Sequence, residues 1–357
     1  MKNGLRLLLG LALLTVGARA GKKDRTLEVY FIDSEGGGST LIVTPNDESV
    51  LIDAGHLGAR DAGWIVTAAK AAGLTKIDYL VLTHYHSDHF GAASEIVKQL
   101  PFGKIYQREI PDHDPDGKSA STFPLQVRGW RELTAPRVTL APGTIVPLRP
   151  VAGAGGPKLE LRCLATDQKI VAPTAAQARQ RNPLAGTAPA KIVVPSDDDN
   201  SAVFVLEYGG FRFFDGGDLT WHLEEQLVAP VNVVGLVDVY QTNHHGLDSS
   251  NNPMFVQSLA PVVSVMNNGP RKGGQPGSMA VINAAPSLQA RYQIHKSLNV
   301  PAAANAPDEF IANLEEAQPA DNCPANFLKL AVAPDGKHYT ISIPANGHAR
   351  TYATTAK

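Results

Sequence analysis

Residues 83–89 read THYHSDH and put three imidazoles (His84, His86, His89) and one carboxylate (Asp88) within six residues. Imidazole and carboxylate donors together suit zinc, iron or manganese. Four clustered ligands are many for one catalytic ion, which must also keep a position open for water. Two ions share them more naturally, and a pair can hold both the attacking and the leaving oxygen of a displacement. Two distant segments repeat the theme: Asp218 closes the run FFDGGD (213–218), and His244 and His245 precede Gly246 in QTNHHG (241–246). The chemistry this predicts is hydrolysis, because divalent ions lower the pKa of a bound water from about 15.7 toward neutrality and make hydroxide available at working pH.

Such side chains need rigid supports. Residues 77–82 (IDYLVL) form a short apolar run of the kind buried on both faces of a sheet, and the histidine loop leaves its end. Upstream, LEVYFID (27–33), STLIVT (39–44) and SVLID (49–53) predict an antiparallel meander. Residues 59–72 and 92–100 predict helices, stopped by Gly73 and Pro101. Residues 202–208 and 211–214 flank Gly209-Gly210 as a hairpin. A helix over 219–228, strands over 237–242 and 262–266, and a last hairpin over 328–332 and 339–343 follow. This order predicts two packed sheets with helices outside. Residues 111–158 are weakly periodic. Residues 171–195, rich in Ala, Pro and Gln, predict a flexible insertion in a single domain spanning 21–357.

The motif His84-x-His86-x-Asp88-His89 resembles the metal-binding signature of the metallo-β-lactamase superfamily. LIDAG (51–55), Gly217-Asp218 and His244-His245-Gly246 resemble that family's preceding strand and turn, bridging aspartate and late histidine motif. Phe31-Ile32-Asp33 with its glycine-rich turn, and Asp199-Asn200-Ser201 before the hairpin, are most similar to the hydrolase domain of ComEC-type DNA-uptake channels. The resemblance implies a four-layer αβ/βα sandwich of two mixed β-sheets with outer helices. It implies two divalent ions, zinc first and manganese or iron as alternatives. His84 and His86 would bind the first ion; Asp88, His89 and His245 would bind the second; Asp218 would bridge them. Asp53 would orient the histidine loop by hydrogen bonds. Asp88 and His244 are the catalytic candidates, His244 as an acid/base group beside the ions if it is not itself a ligand.

One departure stands out. Where many relatives carry a third histidine for the first ion, this chain has SDDDNS (196–201). A carboxylate or the Asn200 amide could serve there, and His113 is another candidate; Asp197 and Asp198 read equally as a solvated turn. Beyond residue 266, NNGPRKGG (267–274) joins Arg271 and Lys272 to a flexible, donor-rich backbone suited to phosphate oxygens. His295 stands alone and reads as a structural histidine or a general acid.

The first twenty residues have the three parts of an export signal: Lys2 and Arg6, an apolar run over 7–16, and Ala18-Arg19-Ala20 before the cut. Cleavage leaves 29 Lys and Arg against 34 Asp and Glu, a formal charge of −5, and no membrane span. That excludes a global basic field for nucleic acid, so a polyanion would have to be met by a local patch. Cys163 and Cys323 are the only cysteines, and export would permit a disulfide or two buried thiols. The expected protein is a secreted or periplasmic metal-dependent hydrolase acting on a small-molecule or nucleic-acid phosphodiester, with no stable protein partner implied. Lactone, thioester or lactam hydrolysis is the alternative chemistry, and a non-catalytic metal-dependent binding module is the alternative class.

Overall fold

The structure is a computed structural model that describes residues 25–151 and 156–355, so the expected export signal over 1–20 lies outside the described residues. Two nine-stranded sheets form its centre. The first runs, from edge to edge, His348–Ala353, His338–Ile343, Leu328–Val332, Leu27–Phe31, Thr40–Val43, Ser49–Ile52, Ile77–Val81, Phe102–Gln107 and Arg137–Thr139. The second runs Ile311–Asn313, Ala290–His295, Val263–Met266, Val239–Gln241, Phe211–Asp215, Val203–Tyr208, Leu159–Thr166 and Ile145–Val146, with Lys169–Ile170 paired beside Leu159–Thr166. Both sheets are mixed. Ser49–Ile52 through Arg137–Thr139 are parallel in the first, as are Phe211–Asp215 through Ile311–Asn313 in the second.

Strand alternation builds three apolar layers. Val29, Phe31, Ile42 and Val50 face Phe204, Leu206, Phe213 and Val263 across the space between the sheets. On the outer face of the first sheet, Leu41, Leu51 and Leu80 pack on Ile65 and Ala69 of the helix Ala59–Ala71, with Phe90 and Trp130 beyond. On the outer face of the second, Val203, Val205 and Phe214 pack on Leu223 and Leu227 of Trp221–Val228 and on Phe255 and Leu259 of Pro253–Leu259. Helix, sheet, sheet, helix is the four-layer order expected.

Several elements differ from expectation. The helix expected over 92–100 is only Ala93–Ile96. The strands Phe102–Gln107, Leu159–Thr166 and Ala290–His295 lie where no strand was expected. The stretch 171–195, expected to be flexible, is irregular but tied down. Asn182 Nδ2 donates to Val228 O (2.7 Å) and Ser258 Oγ (2.8 Å), Trp221 Nε1 donates to Pro189 O (3.2 Å), and the Lys191 ammonium lies over the Trp221 ring. Cys163 and Cys323 are both buried free thiols. Among the described residues, no helix is long and apolar enough to cross a membrane.

Candidate metal centre

Parallel strands from both sheets end at the same place, and the loops leaving their carboxyl ends converge there, as α/β sites generally do. His84–His89 follow Ile77–Val81, Asp218 follows Phe211–Asp215, and the His244-His245 pair follows Val239–Gln241. Gly217, at φ +53, turns the chain so closely against Thr83 that a Cβ would stand 2.9 Å from the threonine side chain.

Two foci result. At one, the donor atoms of Asp88, His89, Asp218 and His245 lie within 4.8 Å of one another. His89 Nε2 is 3.4 Å from Asp88 Oδ2 and 3.2 Å from Asp218 Oδ2; His245 Nε2 is 3.6 and 3.2 Å from the same two oxygens. An ion with bonds of about 2.1 Å in tetrahedral geometry spaces its ligand atoms by about 3.4 Å, so these separations fit one. At the other focus, His84 Nε2, His86 Nδ1 and Asp198 Oδ1 lie 2.8–3.3 Å apart. Asp218 Oδ2 joins the two, 3.9 Å from His84 Nε2 and 3.4 Å from His244 Nε2.

Each imidazole has its other nitrogen engaged outside the cluster. His89 Nδ1 donates to Asp53 Oδ2 (2.6 Å). Thr83 Oγ1 donates to the same carboxylate oxygen (2.7 Å), so it can only accept from His84 Nδ1 (3.0 Å). His245 Nδ1 lies 3.1 Å from Asn267 O, a carbonyl that can only accept. His86 Nε2 lies 3.1 Å from Asp116 Oδ1. These partners fix tautomers in which the inward nitrogens carry lone pairs. Inside, His89 Nε2, His245 Nε2 and Asp198 Oδ1 are buried without a hydrogen-bond partner. Buried polar atoms are nearly always paired, and lone pairs aimed at one another around a common centre fit a cation.

The charges agree with that geometry. Burial pushes the Asp218 carboxyl up, but the charges of His245, His89 and His244 outweigh it and hold it well below its ordinary range. Burial also pushes Asp198 up, and the imidazoles of His84 and His86 beside it pull it well down. His86 shows the reverse balance: burial lowers its pKa, and Asp198 and Asp116 raise it to about 9.

The structure changes several expectations. Asp197 and Asp198 are not a solvated turn: both are buried, in the short 3-10 helix Asp197–Asn200. Asp198 turns a carboxylate oxygen to His84 and His86, so that it can complete that focus. Asn200 is not a ligand, because its amide is spent on Asp197 Oδ1 (2.9 Å) and Gln168 Nε2 (3.1 Å). It braces Asp197, which accepts the Tyr85 amide N–H (2.6 Å) and an arginine N–H from Arg108. His113 is exposed; its loop contributes Asp116 instead. Lys272 does reach the centre, its ammonium donating to Asp88 Oδ2. Arg271 does not: it is turned outward in a two-pronged ion pair with Glu316, Nε to Oε1 at 2.6 Å. Asp53 contacts Thr83 and His89 alone among the loop residues, accepting the Thr83 amide N–H at 2.8 Å. His244, expected as an acid/base group, points Nε2 between Asp198 Oδ2 (3.7 Å) and Asp218 Oδ2, the posture of a ligand.

Sequence reasoning missed Asp116, Ser249 and Glu224. Ser249 Oγ lies 2.9 Å from His244 Nδ1. Glu224, buried, accepts from Asn243 Nδ2 (2.7 Å) and from the backbone N–H groups of Asn251 (2.8 Å) and Asn252 (2.6 Å). It thereby secures a turn in which His244 and His245 both adopt positive φ, 52° and 53°. Residues with a Cβ pay on the order of 1–2 kcal/mol each for that conformation.

The chain is similar to several known proteins. The competence protein ComA of Neisseria gonorrhoeae is 24% identical over 234 residues, 66% of this chain; the match spans 26% of that protein, about a quarter of its length. Among solved structures, the metallo-β-lactamase-fold protein YhfI of Bacillus subtilis aligns with a TM-score of 0.42 at 12% identity, over 75% of this chain and 96% of that one. A diphosphatase of the PhnP family aligns with a TM-score of 0.40 at 11% identity, over 82% and 95%. A family model described as the metallo-β-lactamase superfamily matches residues 33–162, the stretch that carries the histidine loop, and the two mixed sheets between outer helices have the layered order expected of that fold.

Proposed function

We propose that the protein is a secreted hydrolase that holds two divalent metal ions, zinc in the first instance, and cleaves phosphodiester bonds of a nucleic acid or nucleotide. The carrying observation is the convergence of five imidazoles and three carboxylates on two foci, with His89 Nε2, His245 Nε2 and Asp198 Oδ1 turned inward and buried without partners. His84, His86, Asp198 and His244 would hold one ion, Asp88, His89 and His245 the other, and Asp218 both. Bound there, the ions would supply Lewis acidity toward a phosphoryl oxygen and lower the pKa of water toward about 7.

The chain's own groups do the rest. Asp53, Thr83, Asp116 and the Asn267 carbonyl keep the imidazoles in one orientation, so that little reorganisation is needed during reaction. Lys272, reaching the edge of the cluster at Asp88, supplies the positive charge that receives an anionic phosphate oxygen. That lysine favours a phosphodiester over a lactone, thioester or lactam. The ComEC-type motifs and the partial likeness to a competence protein support a nucleic-acid or nucleotide substrate. The binding-module alternative drew its support from the missing histidine, and the approach of Asp198 to His84 and His86 weighs against it.

The test is metal analysis of the purified protein, with turnover measured on bis-p-nitrophenyl phosphate, a lactone and a β-lactam. At least two ions per chain, two of them held by the histidine cluster, and activity on the phosphodiester are expected, with Asp218→Ala reducing that activity at least ~1,000-fold. One ion, or activity confined to the neutral substrates, would refute the proposal.

A further inference from the structure

Asp33, Glu35, His295 and Cys323 lie in four separate places in the chain, yet their donor atoms fall within 4.8 Å of one another. Asp33 stands just past the strand Leu27–Phe31, Glu35 is in the turn that follows, His295 ends Ala290–His295, and Cys323 follows the short 3-10 turn Ala320–Asn322. His295 Nε2 is 2.9 Å from Asp33 Oδ2 and 3.9 Å from Glu35 Oε1, and Cys323 Sγ is 3.4 Å from Asp33 Oδ2. None of these residues belongs to the histidine cluster.

The geometry points to a separate metal site, in which Asp33, Glu35, His295 and Cys323 form a mixed nitrogen, oxygen and sulfur ligand set for a zinc-class divalent ion. Three observations carry it. The donor types are those that bind zinc, and four protein ligands make a closed, structural site. Among the described residues, no lysine or arginine lies in ion-pair contact with either carboxylate: fully buried Asp33 faces His295, the Asn313 amide and the Cys323 thiol, and Arg60 acts on it and on part-buried Glu35 only at longer range; buried carboxylates are paired with cations or coordinate metals. Glu35 also lines a surface groove with His56, Arg60 and Asp321, which gives an ion a way in. On binding, the Cys323 thiol loses its proton to solvent and the thiolate becomes the sulfur ligand. Such an ion would join the end of the first strand to the C-terminal loop independently of any catalytic reading.

Cobalt(II) loading of the full chain tests this without an activity assay. The histidine cluster contains no thiol, so a near-ultraviolet thiolate-to-cobalt charge-transfer band reports this site alone. The band is expected in the wild type, retained in Cys163→Ser and lost in Cys323→Ser, with the ion count falling by one per chain. No band in the wild type, or a band that survives Cys323→Ser, would overturn the proposal. If Cys323→Ser does not fold, alkylation of Cys323 in Cys163→Ser decides it. Bound zinc should slow the reaction more than about tenfold relative to chelator-treated protein, and equal rates would count against the site.

Discussion

On the first sheet a single loop of six residues, His84 to His89, carries four of the donor groups, whereas on the second sheet four more come from three separate turns: Asp198, Asp218 and the His244-His245 pair. The two regions are also supported differently. The loop is held by Asp53 through Thr83 and His89, with Asp116 at His86 and Asp197 at the Tyr85 amide. The turns of the second sheet depend on buried polar contacts made remotely: Glu224 under the strained histidine pair, Ser201 Oγ at the Asp218 amide (3.2 Å), and Arg108 and Asn200 around Asp197. Ligands gathered in one loop share neighbouring braces, whereas ligands gathered from several turns each depend on their own. The second half is therefore where distant substitutions should do most damage.

After Asp218, the largest effect should come from Asp198. If it completes the first focus, Asp198→Ala releases one of two ions and lowers phosphodiester turnover more than about 100-fold, beyond the usual cost of losing a supporting contact, while Asn200→Ala stays within about tenfold. Metal content and kcat/KM of both variants check this; equal losses would return Asn200 to the site. Glu224 comes next. Burial pushes it up to about 7 from an ordinary 4.5, against the pull of three hydrogen-bond donors. The folded protein then holds its proton where the unfolded chain has released it, so its contribution falls as pH rises from 4.5 through about 7, by on the order of 3 kcal/mol. Urea unfolding of chelator-treated protein across that range should show the slope in the wild type and a flatter one in Glu224→Gln. The smallest effect separates the two cations. Lys272→Ala should raise KM for an anionic diester about tenfold and spare a neutral ester, while Arg271→Ala changes neither. A matching rise from Arg271→Ala would mean that it leaves Glu316 to meet substrate.

The same contrast explains what the sequence could reveal. Four donors in six residues after an apolar strand are visible without any tertiary knowledge, and the first meander and the late hairpin follow from alternation. A carboxylate of the run 196–201 was a candidate, but Asp198 could not be singled out because an acidic run in a polar turn has the composition of a solvated loop, and only packing against His84 and His86 buries it. The Asn267 carbonyl that orients His245 carries no side-chain signal at all. Leu159–Thr166 and Ala290–His295 were obscured by Arg162 and Arg291 within them. Pro253–Leu259 and Pro276–Ala284 did have a readable start, a proline in the first turn of each.

Asp218 Oδ2 stands among nitrogens from both sheets, His84 and His89 on one side and His244 and His245 on the other. Ions seated around it would act as rivets across the seam between two halves that otherwise meet mainly through apolar side chains. Any ligand that binds only the folded form adds its binding free energy to the folding equilibrium. Metal supply would then govern how firmly the halves stay closed, and a cell short of the ion would hold a looser, more protease-sensitive protein.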